Sequence, residues 1–101
     1  MDNVRVKLFF KQDCPRCPAA KELCSRLEAE GYGVDRFDVE RVEGLAEASY
    51  HEVLSTPGII VVDDDNEIFG YRGEVPSHGE FLRRFEQISS DSAEPTLIAD
   101  E

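Results

Sequence analysis

Apolar and polar residues alternate with period two near the start of the chain. Val4, Val6, Leu8 and Phe10 interleave with Arg5, Lys7 and Phe9, which predicts a strand with one buried face. Ala20, Leu23, Cys24 and Leu27 then recur at helical spacing, and Gly31-Tyr32-Gly33 supplies a stop, so an amphipathic helix follows. Phe37 and Val39 alternate with Arg36, Asp38 and Glu40, as in a second strand with a polar outer side near a sheet edge. Val42, Leu45, Ala46, Ser49, Tyr50 and Val53 share one helical face, predicting a second helix that ends near Leu54, shortly before Pro57. Gly58-Ile59-Ile60-Val61-Val62 has no alternation, as expected of a central strand buried on both sides. Asp63-Asp64-Asp65-Asn66 is turn chemistry leading into Ile68, Phe69 and Tyr71, which makes a hairpin. Ser77 and Glu80 have capping-box spacing ahead of Phe81, Leu82, Phe85 and Ile88, the apolar face of a last helix. The predicted order is β-α-β-α-β-β-α. Residues 89–101 offer little apolar surface beyond Leu97 and Ile98 and are expected to form a disordered acidic tail after a domain spanning residues 1–88.

The length of 101 residues fits one small domain with a single modest core, which at this size needs neither disulfide staples nor a structural metal. Asp and Glu number 22 against 11 Lys and Arg, a net charge of -11 that leaves no basic cluster to displace counterions from a nucleic acid. Residues 1–50 carry eight basic and ten acidic side chains, residues 51–101 three and twelve, so the half holding the cysteines is nearly neutral. The longest apolar run, Gly58 to Val62, is far short of the ~20 residues of a spanning helix, and no signal-peptide layout opens the chain. A cytoplasmic protein without membrane or nucleic-acid partners is expected. In a reducing compartment an isolated Cys-x-x-Cys points to redox or metal chemistry rather than to a structural disulfide.

Cys14-Pro15-Arg16-Cys17 lies between a buried strand and a helix start. Unpaired N–H groups and the helix dipole there favour a thiolate, so Cys14 is the candidate nucleophile, with Lys11 and Arg16 supporting its charge and Asp13 opposing it. Three residues along a helix returns to nearly the same face, which puts Cys17 within disulfide reach as the resolving thiol. Cys14 would attack a target disulfide, and Cys17 would then attack the Cys14 sulfur and release the reduced target. Pro18 cannot donate the first intrahelical bond and crowds the Cys14 carbonyl, so regular helix is expected to start only at Pro18, with Cys17 as the cap and the nucleophile on a bent turn. Cys24 lies about 10 Å of helical rise beyond Cys17, out of disulfide reach, and on the apolar stripe it reads as an inert core thiol.

Strand, Cys-Pro-x-Cys, helix, strand, helix, Thr-Pro, hairpin and last helix together resemble the thioredoxin superfamily in its short, glutaredoxin-sized form over residues 4 to 88. The resemblance implies an α/β thioredoxin-like fold: a mixed four-stranded sheet flanked by three helices. It implies a cis Pro57 facing the cysteines, with Thr56 before it offering backbone hydrogen bonds to an extended substrate. Lys11 matches the lysine of the glutaredoxin Lys-x-x-Cys-Pro-x-Cys pattern, which pairs with a glutathione carboxylate. The stretch from Gly70 to Ser77 lacks the glutaredoxin Gly-Gly and looks more like the end of a thioredoxin. Both glutathione and a dedicated reductase therefore stand as electron donors.

A monomeric thiol–disulfide oxidoreductase acting on disulfide-containing proteins or small molecules is therefore expected. Cys14 and Cys17 would be catalytic, and Lys11, Pro15, Arg16, Thr56 and Pro57 would line the substrate site, with Phe10 or Tyr71 on an apolar rim. No tightly bound cofactor is expected. One alternative is an iron–sulfur protein with a cluster shared between two chains, since Cys14 and Cys17 have half-site spacing. Another is a redox-inactive module that holds peptides around Pro57. His51 and His78 are expected to be exposed or capping residues, Asp63-Asp64-Asp65 to be a solvated turn rather than a calcium loop, and Arg83-Arg84 and Tyr71-Arg72 to be outward-facing surface.

Overall fold

The computed structural model describes residues 3–93, with side chains over residues 3–88. Its elements are β1 (Val4–Phe10), α1 (Cys17–Ala29), β2 (Gly33–Asp38), α2 (Val42–Tyr50), β3 (Gly58–Asp63), β4 (Asn66–Arg72) and α3 (His78–Ala93), in the predicted β-α-β-α-β-β-α order. They form one mixed sheet in the order β2-β1-β3-β4, with β1 parallel to β2 and antiparallel to β3, and β3 antiparallel to β4. β2 is the edge strand anticipated from its polar side. β3 is buried along almost its whole length, as its unbroken β-branched run requires.

The two sheet faces carry separate cores. Val6, Leu8, Ile59 and Val61 pack against Ala20, Leu23, Cys24 and Leu27 of α1 and Phe81 of α3. Phe9, Ile60 and Val62 project the other way, against Ala48 and Val53 on and after α2. The expectation of a single buried face on β1 is corrected here: α2 covers the second face, so Lys7 and Phe9 are buried as well.

α2 departs most from its sequence pattern. Gly44, Ala48 and the capping residue His51 face the sheet, whereas Val42, Leu45 and Tyr50 of the supposed buried stripe are exposed. The cause is steric. Gly44 sits so close to Asp38 that a Cβ there would overlap the Asp38 carbonyl group, a close approach that the glycine–alanine side of the helix permits. The helix also stops at Tyr50, not Leu54. Glu52 takes a positive φ of 57° and the Val53 N–H donates to the Ala48 carbonyl, 2.8 Å, closing the end.

At the hairpin, Asp64 and Asp65 both adopt positive φ, as a tight two-residue turn demands. The capping box at α3 is reciprocal: the Ser77 N–H donates to Glu80 Oε1, 2.9 Å, and the Glu80 N–H to Ser77 Oγ, 3.1 Å. α3 continues to Ala93, past the expected boundary at 88. The remainder of the expected tail, residues 94–101, lies outside the described residues. No described helix is long and apolar enough to cross a membrane.

Candidate redox site

β1 delivers the chain to a short exposed loop, residues 11–13, and then to Cys14. Pro18 shapes the turn between Cys14 and the helix. A helix would have residue 18 donate to the Cys14 carbonyl, but proline has no N–H. The Cys17 N–H takes that carbonyl instead, 3.2 Å, and the first regular i to i−4 bond runs from the Ala20 N–H to the Arg16 carbonyl, 3.2 Å. Helix α1 therefore starts at Cys17 with Arg16 as its cap, one residue earlier than expected, and Pro18 occupies its second position. Cys14 sits on the predicted bent turn ahead of it.

Cys14 and Cys17 are joined by a disulfide, with Cα atoms 5.3 Å apart. Cys14 keeps 9% of its surface exposed and Cys17 only 2%, so the second cysteine is the more deeply buried. Cys24 is fully buried on the same helix and is the one free thiol among the described residues. Burial pushes its pKa up to about 11, and Arg36 offsets only part of this. It is a neutral core group, as its place on the apolar stripe predicted.

The Thr56–Pro57 peptide bond is cis, as the resemblance implied. Pro57 is buried and Thr56 half-buried. Gly73, just after β4, ties this loop to the cysteine turn. Its N–H donates to the Pro57 carbonyl, 2.8 Å, while its own carbonyl accepts from Arg16 Nη1, 3.1 Å. Gly73 has a φ of +81°, and the Ser55 hydroxyl lies where a side chain on it would project, so another residue would be strained and crowded. Gly73 was not singled out from the sequence; a glycine directly following a predicted strand was the available signal. Pro15 is exposed beside the disulfide. Lys11 is exposed too, and no hydrogen bond or ion pair among the described residues joins it to the cysteines or to the Pro57 loop. Phe10 lies under the Lys21 ammonium, 4.4 Å from the ring centre, and Tyr71 packs edge-on against Phe69.

On the opposite face of the sheet, Lys7 lies only 7% exposed. Its Nζ donates to Glu47 Oε2 at 2.5 Å and to Asp65 Oδ1 at 3.1 Å, and sits 3.1 Å from His51 Nε2. Burial by itself lowers the Lys7 pKa, but the bonds to Glu47 and Asp65 outweigh it and hold the ammonium above its ordinary value. His51, expected to be exposed or capping, does cap α2 but is buried over this cluster. Arg72 is exposed at the end of β4, as expected, and binds Glu67 and the His51 carbonyl, 2.7 and 2.8 Å. His78 Nε2 meets Glu30 Oε1 at 2.8 Å. Asp65 of the acidic turn serves Lys7, and Asp64 accepts from Asn3, 2.7 Å. No group of three or more His, Cys, Asp or Glu residues suited to a metal ion occurs among the described residues.

A family model described as a thioredoxin domain matches residues 4–86. A curated protein from Archaeoglobus fulgidus, described as a probable thioredoxin, is 31% identical over 86 residues, 84% of this chain and 89% of its own length. The chain belongs to the thioredoxin-domain family. Among solved structures, a mutant thioredoxin from Halobacterium salinarum superposes with a TM-score of 0.72 at 19% identity, covering 86% of this chain and 76% of the other. Thioredoxin 1 from Thermosipho africanus gives 0.69 at 19% identity, covering 88% and 98%. At that identity the two structures establish a shared fold.

Proposed function

We propose that this chain is a thiol–disulfide oxidoreductase of the thioredoxin type that reduces protein disulfides through Cys14 and Cys17. The observation that carries the reading is the Cys14–Cys17 disulfide at the start of α1, bound through Arg16 and Gly73 to the cis-Pro57 loop. In the reduced protein, the Cys14 thiolate attacks one sulfur of the target disulfide. That S–S bond breaks, a mixed disulfide forms and one target thiolate departs. The Cys17 thiolate then attacks the Cys14 sulfur and expels the second target thiolate, leaving the Cys14–Cys17 disulfide. Two electrons pass to the target, and a donor returns two electrons and two protons to the enzyme.

Cys14 is taken as the attacking residue because it is the less deeply buried of the two cysteines. Thr56 and Pro57 offer the backbone edge along which an extended target lies, and Pro15 forms the opposite wall. Arg16 shapes the site through Gly73, and the exposed Lys11 is free to meet an anionic group on the incoming disulfide. A reductase is favoured over glutathione as donor. The chain matches a thioredoxin-domain model, and the segment after Gly73 has no second glycine before α3. The reducing cytoplasm suits this direction of electron flow.

Insulin reduction tests the assignment. Cys14→Ser should abolish it and Cys17→Ser should accumulate mixed disulfides, whereas full activity of Cys14→Ser would overturn the choice of nucleophile. Comparing turnover with NADPH and thioredoxin reductase against glutathione and glutathione reductase tests the donor.

A further inference from the structure

The four large hydrophobic residues exposed among the described residues all lie on α2 and the loop that leaves it: Val42 (82%), Leu45 (57%), Tyr50 (69%) and Leu54 (94%). A helix that buries glycine and alanine while presenting valine, leucine and tyrosine to water has its amphipathicity reversed, and such clustering marks an interaction surface. Leu54 joins this surface to the redox site, because the next three residues are Ser55, which packs on Gly73, and the cis Thr56–Pro57 pair. The surroundings are acidic. Glu40, Glu43 and Glu52 flank the apolar residues in the sequence, while Glu47 is taken up by Lys7; Arg41 is the one cation in the segment, Arg72 donates to the Glu52 carbonyl from β4, and the whole chain carries -11. A second copy would bring the same negative charge to the contact, so the complementary occupant is apolar and basic.

We propose that the outer face of α2 together with Leu54 docks the segment of a disulfide-bonded protein substrate in which apolar side chains alternate with lysine or arginine, lying beside the cysteine that Cys14 attacks. This rests on the redox reading above and gives it a substrate class. The apolar side chains would cover Val42, Leu45 and Leu54, and the cations would face Glu43 and Glu52.

Three fluorogenic disulfide peptides test it. All share the same residues around the disulfide, and they differ in an extension of leucine and lysine, of leucine and glutamate, or of glycine and serine. The wild-type protein should reduce the Leu/Lys substrate with kcat/KM roughly tenfold above the Gly/Ser substrate, and the advantage should shrink in high salt. In Leu45→Ser/Leu54→Ser the advantage should fall within about twofold, while turnover of a short substrate with no extension, too small to reach α2, stays at the wild-type rate. In parallel, a labelled Leu/Lys peptide without cysteine should bind wild type about tenfold more tightly than the double variant by fluorescence anisotropy. Equal kcat/KM for all three extensions, or a preference that survives the double substitution, overturns the docking surface. Failure to reduce even the short substrate overturns the redox reading and the substrate class with it.

Discussion

Replacing Gly44 by alanine sets two effects of opposite sign against each other. Alanine is favoured over glycine by up to about 1 kcal/mol in a helix interior, and by less at Gly44, the third residue of α2. Against this, the new Cβ would overlap the Asp38 carbonyl group, with the Asp38 nitrogen 3.0 Å away. Neither atom can yield easily. Asp38 ends β2, paired in register with Phe10 of β1, and its carbonyl accepts the Arg41 N–H at 3.0 Å. Relief therefore requires α2 to lift by about an ångström or more, which opens gaps around Ala48 and His51. Overpacking of this kind costs roughly 1–3 kcal/mol, and with backbone on both sides of the clash the net loss should be about 2 kcal/mol. Gly79→Ala is the control. It lies exposed in the first turn of α3, its nearest neighbour would be the end of the Arg83 side chain at 3.4 Å, and the substitution should stabilise by about 0.5 kcal/mol. Urea unfolding of the oxidised proteins, followed by far-ultraviolet circular dichroism, reads both. With an m-value of about 1 kcal/mol/M, the Gly44→Ala midpoint should fall by roughly 2 M. A midpoint at or above wild type would refute the seating of α2 against Asp38 and remove the steric reason for its outward-facing apolar residues.

Cys24 should resist iodoacetamide at pH 8 in the oxidised native protein: a pKa of about 11 rather than 9.0 lowers its thiolate fraction roughly a hundredfold, before burial slows it further. Labelling within tenfold of an unfolded thiol would contradict this. The same shift sets an alkaline limit. The native fold keeps the Cys24 proton longer than the unfolded chain does, so its contribution is complete below about pH 9 and is lost as pH rises through 11, a fall of about 2–3 kcal/mol that Cys24→Ala should remove from the pH–stability profile. Lys7, also raised, acts in the same direction above 10.5. Lys7→Met should cost about 2 kcal/mol at pH 7, because His51 Nε2 loses its buried donor while Glu47, 30% exposed, partly recovers in water; an unchanged urea midpoint would count against the cluster as a structural element. Ser77→Ala should cost about 1 kcal/mol by removing the cap of α3, and a thermal midpoint equal to wild type would show the cap to be idle.

Most of the fold was legible because its signals are local. The alternation in β1, the uninterrupted run of β3, the acidic turn and the Ser77–Glu80 box each act within a few residues. The identity of the covered face escaped, because it depends on contacts distant in sequence. Lys7 looked like a solvent-side residue of β1 because its partners, Glu47, His51 and Asp65, lie 40 or more residues away. α2 misled for a related reason. Periodicity reports where large apolar residues cluster, not which side of a helix fits, and here close approach to Asp38 selected the small side.

The candidate site divides in the same way. The Cys14–Cys17 spacing, the bend imposed by Pro18 and the core position of Cys24 all follow from helix geometry within about three turns, so the residues themselves announced them. The cis-Pro57 loop could be placed only through the family resemblance, since nothing in Thr-Pro alone says which surface it faces. For Gly73 the sequence offered only its place directly after a predicted strand, and neither approach singled it out. Its part in the site exists only once β4 has brought it between Arg16 and Pro57, 57 residues from the former, where one peptide unit accepts from the cysteine turn and its neighbour donates to the proline loop. On the proposed redox reading, the dithiol belongs to the turn before α1 and to its first residue, while the hairpin shapes the edge beside it. Substrate choice should therefore respond to changes along Ser55–Pro57, Gly73 and the outward face of α2 more readily than to changes within α1.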